Sequence, residues 1–160
     1  MHRRTHLRSS RRSSDVDLSA DAVWRVAASG MRGRQWYVDA SPFVFRAGVD
    51  RLAGGAGRRW DPPGTPLLAT GDRAGFWLVT GAGHHGSRRR LVLEAQVRAP
   101  GTVRLTTEVD ALAERRSRLV QTISFAPRGL LGAAYLLADV PAREAVIEVT
   151  HRRLLDDLRG

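Results

Sequence analysis

Residues 91–125 read LVLEAQVRAPGTVRLTTEVDALAERRSRLVQTISF, in which three apolar runs are separated by short polar connections. A similar run at residues 74–80 precedes them. All four runs contain β-branched residues, and the first and last also contain aromatic residues, both of which favour strands. The connections suit antiparallel neighbours, because a parallel crossover needs about a dozen residues or more. The sequence therefore predicts a four-stranded meander. Its strands are residues 74–80, 91–98, 103–109 and 119–125, and its connections are residues 81–90, 99–102 and 110–118.

Helical patterns flank this predicted sheet on both sides. Ser19 is a good N-cap for a helix at residues 20–28, which follows a short alternating run at residues 15–18. Residues 43–52 indicate a second short helix. After the sheet, residues 129–158 predict a long helix, which Pro141 should kink or split. Its predicted apolar stripe consists of Leu131, Ala134, Tyr135, Ala138, Ala142, Ala145, Val146 and Val149.

The order of these elements predicts an α+β fold. We expect a curved antiparallel sheet wrapped around the long C-terminal helix, with two short helices near the N-terminus. A chain of 160 residues with 42% hydrophobic residues has the size of one domain. Residues 1–14 are rich in Arg and Ser and nearly devoid of apolar side chains. We therefore expect a disordered tail, or a start codon assigned too early, before a single domain at residues 15–160.

Composition excludes several classes of protein. Cysteine is absent, so disulfides, thiolate metal sites and cysteine nucleophiles are excluded. No apolar run has the length of a signal peptide or membrane span, so we expect a cytoplasmic protein. All 26 basic residues are arginine, which is typical of a GC-rich genome, and five of them lie in the first twelve residues. The remainder is only mildly basic, so no specific nucleic-acid partner is expected.

Three motifs suggest binding or catalytic sites. Residues 81–86, GAGHHG, match the dinucleotide-binding pattern, but a strand rather than a helix is predicted to follow, so we expect a glycine-rich loop and no cofactor. The adjacent histidines diverge and predict no metal site. Residues 54–59 either end a helix or form a backbone nest for an anion. Glu94 and Glu108 would be an acid–base pair if both faced a pocket, whereas strand alternation favours the solvated face, and no catalytic residue is assigned.

The aromatic residues are candidates for lining a cavity. A curved sheet closed by one helix encloses space, and small-molecule pockets are largely apolar with a few polar groups. The same residues could equally fill the core. The candidate ligand-binding residues are Trp36, Tyr37, Phe76 and Trp77, which supply apolar area, and Gln121 and Tyr135, which orient a polar group.

The element order resembles the helix-grip fold of the START and Bet v 1-like superfamily, also called SRPBCC. Several runs over about residues 15–155 also resemble one uncharacterised bacterial family, a domain of unknown function: GRQWY at 33–37, RAGVDRLAGG at 46–55, RRWDP at 58–62 and PRGLLG at 127–132. That family often follows an NAD(P)-binding, short-chain-dehydrogenase-like domain. The resemblance implies no catalytic residues, and any nicotinamide chemistry is expected to need a separate partner.

Three functional hypotheses follow. The first is a non-catalytic module that binds a hydrophobic small molecule or lipid between the sheet and the helix at residues 129–158, lined by the six candidate residues. The second, implied by the superfamily resemblance, is a cyclase- or hydratase-like enzyme, or an auxiliary subunit of a separate NAD(P)-dependent reductase. The third is a binder of nucleic acid or anionic membrane, which the positions of the aromatic residues disfavour.

Overall fold

The computed structural model describes residues 2–6, 8–39, 60–96 and 101–160, and at residues 2–6, 39 and 130–139 it describes the backbone alone. The strands are β1 (His2–His6), β2 (Ser9–Val16), β3 (Arg73–Ala74), β4 (Trp77–His85), β5 (Arg88–Ala95), β6 (Gly101–Ala113) and β7 (Arg116–Pro127). The helices are α1 (Ala20–Ala27), α2 (Trp36–Asp39) and α3 (Gly129–Asp157).

The seven strands form one antiparallel sheet in the order β1-β2-β7-β6-β5-β4-β3. Strands β3 to β7 follow one another as a meander, and the predicted meander is confirmed. The hairpin of β1 and β2 is added beside β7, so a strand near the N-terminus pairs with the last strand of the chain. Helix α3 packs on β7 and β2, and α1 packs on β6 and β7. The predicted α+β helix-grip fold is therefore confirmed.

Two register shifts help to curve the sheet. One lies between Val79 and Gly81 on β4, and the other lies between Ala111 and Ala113 on β6. Each gives its strand one residue more than the partner strand has, which increases the local twist and bends the strand. The curved sheet then offers one face to the helices.

Strands β4, β6 and β7 are longer than predicted, β5 keeps its predicted length but begins three residues earlier, and the connections on either side of the β5–β6 pair are shorter. Residues 81–85, predicted as part of a loop, continue β4, and the chain turns into β5 at Gly86 and Ser87. Gly86 has a φ of 64°, in the left-handed region that glycine adopts most readily. The turn between β6 and β7 is likewise confined to Glu114 and Arg115. Glycine weakens a strand only modestly, so the pairing with β5 overrides it here.

The prediction of a disordered tail at residues 1–14 is wrong. Residues 9–16 form β2, in which Ser10 and Arg12 are buried. This segment has few apolar side chains, yet it is ordered because β7 supplies its ladder hydrogen bonds and α3 supplies partners for its inward side chains. The domain boundary predicted between residues 14 and 15 falls inside this strand.

Helix α1 begins where the sequence predicts. The Oγ of Ser19 accepts a hydrogen bond from the backbone N–H of Ala22 at 3.2 Å, which confirms the N-cap. Its buried face consists of Ala20, Val23, Trp24 and Ala27. The predicted helix at residues 43–52 and the glycine motif at residues 54–59 lie outside the described residues.

Helix α3 is not split at Pro141 but continues to Asp157. Beyond the proline the predicted apolar stripe is only partly right, because Val146 is buried whereas Val149 is 46% exposed and Ala145 is also exposed. The buried side chains of this half are Arg143, Val146, Ile147, Thr150, His151 and Leu154. The predicted stripe residues at 131–138 have side chains outside the described set. No helix in the described part of the chain is long and apolar enough to cross a membrane.

Candidate functional site

Three of the predicted aromatic lining residues lie in the buried core of the domain. Trp36, Tyr37 and Trp77 are each 1% exposed. The indole of Trp36 donates to the carbonyl of Ala27 at 3.0 Å, and the hydroxyl of Tyr37 donates to the carbonyl of Ser29 at 2.8 Å. The indole of Trp77 donates to the carbonyl of Tyr37 at 2.8 Å. The polar atoms of these side chains therefore bond to backbone carbonyls within the domain. The role of the three residues as ligand contacts stays a prediction.

Of the other candidates, Phe76 contacts one of these aromatic residues and Gln121 lies elsewhere. The ring of Phe76 is half-buried, with its centroid 4.6 Å from that of Trp77. The side chain of Tyr135 lies outside the described residues. Gln121 is fully buried on β7. Residues paired directly across the sheet connect it through β6 and β5 to Ala82 on β4. Ala82 lies roughly 15 Å along that strand from Trp77. Gln121 therefore belongs to a different part of the interior.

A cluster of polar side chains lies between the sheet and α3, and it was not predicted from the sequence. Because side chains alternate along a strand, every second residue of β2 faces α3. Arg12 pairs directly with the buried Gln121 of β7, so the residues of β2 that face α3 are Arg12 and its neighbours two positions away. We call this cluster the polar seam. Its members are Ser10, Arg12 and Ser14 of β2, Thr107 of β6, Gln121 of β7, and Arg143, Glu144, Glu148 and His151 of α3.

Charged groups hold one end of the polar seam together. The guanidinium of Arg12 donates from Nη2 to Glu144 and from Nε to Glu148, each at 2.7 Å. The Nε of Arg143 donates to the Oγ of Ser10 at 3.1 Å. A buried charge is tolerated when it is paired and hydrogen-bonded, and Arg12 meets both conditions. This end of the seam fixes β2 against α3.

A chain of hydrogen bonds runs through the other end of the polar seam. The Oγ of Ser14 lies 2.9 Å from Nε2 of His151, and Nδ1 of His151 lies 3.1 Å from Oε1 of Gln121. The Nε2 of Gln121 then donates to the Oγ1 of Thr107 at 3.2 Å. Burial lowers the pKa of His151 to about 4, so its ring is neutral at pH 7. A neutral imidazole has one donor and one acceptor nitrogen, which matches its two partners.

Ser14 also lines an open groove of about 530 Å³ between the end of β2 and the last turns of α3. We call it the seam groove. Half of its lining residues are apolar and half-buried, and the remainder are polar or charged. The lining consists of Ser14, Asp15, Val16, Asp17, Leu18, Leu155, Leu158 and Arg159. The groove therefore connects solvent to the hydrogen-bond chain through Ser14.

A second open groove, of about 500 Å³, lies between the end of α1 and the C-terminal end of α3. Arginines and aspartates share its lining, so its charges largely offset each other. The lining consists of Arg25, Val26, Ser29, Arg34, Gln35, Arg153, Asp156, Asp157 and Gly160. Val26 is the only aliphatic side chain larger than alanine among these lining residues. The second groove therefore suits an apolar ligand less well than the seam groove does.

The remaining sequence motifs lie away from both grooves. Glu94 accepts a hydrogen bond from Arg104 at 3.0 Å, and Glu108 lies 3.4 Å from Arg88, which confirms the solvated face for both carboxylates. The motif at residues 81–86 leads into β5 and not into a helix, so it lacks the helix N-terminus that a dinucleotide site needs. Among the described residues, no group of three or more metal-binding side chains comes together.

One signal for the polar seam is present in the sequence of α3. Glu144, Glu148 and His151 recur at the spacing i, i+4, i+7, which places them on one face of a helix. A polar stripe on a helix that must cover a sheet indicates polar partners on that sheet. β2 carries no comparable signal, because its Ser and Arg residues are equally typical of a solvated tail.

Comparison with known proteins gives a family but no function. A family model described as "Protein of unknown function (DUF2867)" matches residues 3–150, a range that includes β2 and most of α3. No curated protein matches the chain significantly.

Several solved structures are similar to this chain. One is a START superfamily protein from Mycobacterium smegmatis, with 12% identity, a TM-score of 0.45 and coverage of 96% of this chain and 95% of that one. Another is a protein from Arthrobacter aurescens, with 14% identity, a TM-score of 0.45 and coverage of 97% and 91%. A third is a norcoclaurine synthase from Thalictrum, with 12% identity, a TM-score of 0.41 and coverage of 92% and 98%. The identities are too low to transfer a function.

Proposed function

The chain belongs to the DUF2867 family, proteins of unknown function, and we propose that it binds a small molecule with an apolar body in the seam groove. The ligand would lie between the sheet and the C-terminal helix. Its polar group would meet the hydroxyl of Ser14, and its apolar body would contact the aliphatic side chains of the groove.

The construction of the seam groove is the observation that carries this proposal. Val16 and Leu18 line it from the β2 side, and Leu155 and Leu158 line it from α3. All four are half-buried, so a ligand that covered them would remove apolar surface from water. Ser14 adds a hydroxyl that is backed by buried groups. An apolar pocket with a few fixed polar groups is the usual form of a small-molecule site.

The size and charge of the groove narrow the ligand class. A volume of about 530 Å³ lies within the range of roughly 300 to 1,000 Å³ that small-molecule pockets occupy. Asp15 is held by Arg118 at 2.7 Å and by Arg116 at 3.2 Å. Asp17 and Arg159 carry opposite charges on the same lining. A neutral or weakly amphiphilic ligand with a hydroxyl or carbonyl group fits this balance best.

The proposal keeps the ligand between the sheet and the C-terminal helix, but none of the six predicted contact residues lines the seam groove. Trp36, Tyr37 and Trp77 are buried and bond to backbone carbonyls, whereas the aliphatic residues of the groove line an open space. Gln121 reaches the groove only through His151, so its role is to hold that ring.

A matched pair of substitutions tests the proposal with Nile red as the apolar probe. Leu158→Glu places a charge in the seam groove, at the half-buried residue that directly follows α3. Leu112→Glu places the same charge at a 43% exposed position near the turn between β6 and β7. We expect wild type and the Leu112 variant to bind the probe equally, and the Leu158 variant to bind it at least about tenfold more weakly.

Equal binding by both variants would place the probe elsewhere, and absence of binding by wild type would reject the site. Native mass spectrometry of protein purified without detergent supplies the second measurement. A co-purifying small molecule that is lost in the Leu158 variant and kept in the Leu112 variant supports the proposal and gives the ligand's mass.

A further inference from the structure

We propose that Ser14, His151 and Gln121 form a nucleophile, a base and an orienting group that transfer an acyl group from a small activated ester held in the seam groove. The inference rests on the proposed function, because the ester would occupy the same groove. It adds a covalent step at Ser14 that simple binding does not require.

The distances fit the arrangement that such a group needs. An activated serine has its Oγ within about 2.6 to 3.2 Å of a base, and the base is held by a third group. Here the Oγ of Ser14 lies 2.9 Å from Nε2 of His151. The Nδ1 of His151 lies 3.1 Å from Oε1 of Gln121. The three side chains come from three different elements, β2, β7 and α3, so the fold itself assembles them.

The order of donors follows from the Gln121 amide. With its Nε2 directed at Thr107, its Oε1 faces His151 and accepts from Nδ1–H. The proton of the neutral ring is then on Nδ1, and Nε2 carries the lone pair. Nε2 can therefore accept the proton of the Ser14 hydroxyl. The amide has the orienting role that a carboxylate has in the serine protease triad, without its charge.

Access is limited to the nucleophile. Ser14 lines the seam groove, whereas His151 and Gln121 are both 0% exposed. A ligand in the groove therefore meets the hydroxyl first, and bulk water does not surround the base. Among the described side chains, the charged groups that act on His151 are Glu148 on its own helix and Arg12 on β2, which oppose each other's effect on the ring. Burial is the largest effect and lowers the pKa to about 4, so the ring is unprotonated at pH 7 and has a free lone pair. The same lowered pKa makes it a weaker base than an ordinary histidine, so only a substrate with a good leaving group suits it.

The reaction balances without any further reagent. The Oγ of Ser14 forms a bond to the ester carbonyl carbon as its proton passes to Nε2 of His151. The bond from that carbon to the leaving oxygen breaks, and the leaving alcohol takes the proton from His151. Water then repeats the sequence and releases the acid. Negative charge develops on the ester oxygens during this reaction, and a nearby cation would stabilise it. Arg159 is the cation among the residues that line the groove, but it already pairs with Asp156 at 3.2 Å. We therefore expect activated esters as substrates, because their leaving groups depart with little stabilisation.

Covalent labelling of the full chain tests the inference. A fluorophosphonate probe reacts with an activated serine by forming a phosphorus–oxygen bond and releasing fluoride, and peptide mass mapping locates the label. We expect one label per chain, at Ser14. Ser14→Ala should abolish it. The control is Ser13→Ala, since Ser13 lies next to it on β2 with its side chain on the opposite face.

Hydrolysis of p-nitrophenyl butyrate gives the rates. General base catalysis contributes about 10²- to 10⁴-fold, so His151→Gln should lower the acylation rate by at least about 100-fold. Gln121→Glu retains an acceptor for Nδ1–H and should keep more activity than Gln121→Leu. A purely structural role for Gln121 would not produce that difference in rate between variants of equal stability.

Two measurements on the wild-type chain separate the possible failures. Nitrogen-15 NMR of the histidine ring should show the proton of His151 on Nδ1, and a proton on Nε2 would overturn the inference without any variant having to fold. Nile red binding without labelling of Ser14 would overturn the acyl transfer and leave the proposed function standing. Failure of both probes would reject both.

Discussion

The Nε of Arg12 lies 2.7 Å from a carboxylate oxygen of Glu148, at an interface where the Arg12 side chain is only 3% exposed. The same guanidinium reaches Glu144 at 2.7 Å, so one cation on β2 holds two carboxylates of α3. Burial alone would lower the pKa of Arg12, but the hydrogen bonds to Glu148 and Glu144 outweigh it and raise the pKa. The contact between the N-terminal strand and the C-terminal helix is therefore ionic at its centre.

Removing this cation should destabilise the protein strongly. Arg12→Met leaves Glu144 and Glu148 close together without their shared partner. Loss of one member of a fully buried ion pair costs about 3 to 5 kcal/mol. Here the two carboxylates are 27% and 17% exposed, and Glu148 keeps Arg152 at 2.8 Å, so we expect a loss at or below the lower end of that range. Urea unfolding followed by circular dichroism measures the change. The control is Arg11→Met, since Arg11 is exposed on the same strand. Equal losses in the two variants would mean that the ion pairs contribute little.

The free energy of unfolding should depend on pH through His151. Burial lowers its pKa in the folded state to about 4, from the ordinary histidine value of 6.5, so between these values the unfolded state binds a proton that the folded state does not. Stability is therefore complete above pH 6.5 and is lost as the pH falls toward 4, by up to about 1.4 kcal/mol per pH unit.

Unfolding measured at intervals from pH 7 to pH 4 checks this dependence, with His151→Gln as the comparison. The variant should lose the slope between pH 6.5 and 4. A slope of the same size in the variant would assign the effect to other groups. Carboxylates such as Asp15 are a separate contribution, because the hydrogen bond from Arg118 lowers the pKa of Asp15 and moves its effect below the window of His151.

Trp77 should matter for stability and not for ligand binding. Trp77→Phe removes the hydrogen bond from the indole to the carbonyl of Tyr37 and part of a fully buried side chain. We expect a loss of about 1 to 3 kcal/mol in the free energy of unfolding. Nile red should bind to the variant as it does to wild type. A clear loss of binding in a folded variant would return the ligand contacts to the aromatic core.

Truncation of two aliphatic residues of α3 should change the free energy of unfolding by very different amounts. Ile147 is fully buried, and Ile147→Ala should cost about 2 to 5 kcal/mol. Val149 is 46% exposed, and Val149→Ala should change the stability by about 0.5 kcal/mol or less. Thermal and urea unfolding of the two variants compare them directly. A larger cost at Val149 would restore the apolar stripe that the sequence predicts.

Local patterns were sufficient for most of the fold. The meander follows from alternating runs, and the start of α1 follows from Ser19, because both depend on residues that are close in sequence. The ends of the strands were less predictable. Residues 81–85 contain two glycines and two histidines, and only their pairing with β5 makes them a strand.

The polar seam depends on contacts that no local pattern reveals. Ser14 and His151 are 137 positions apart, and Arg12 and Glu148 are 136 apart. Serine and arginine near a chain end are usually solvated, so burial of Ser10 and Arg12 follows only once β7 and α3 are in place. The aromatic lining was predicted from residue type alone, and large apolar residues are needed by any core and do not by themselves indicate a ligand, so that role stays a prediction.

The pairing of β2 with β7 also governs when the protein can become complete during synthesis on the ribosome. The register joins Ser9 to Ser124 and Val16 to Ser117, so the first strands must wait until more than a hundred further residues have emerged. The Glu144 and Glu148 partners of Arg12 emerge later still. An arginine-rich segment with little apolar surface is well suited to that delay, because it stays hydrated and has little tendency to aggregate while it waits.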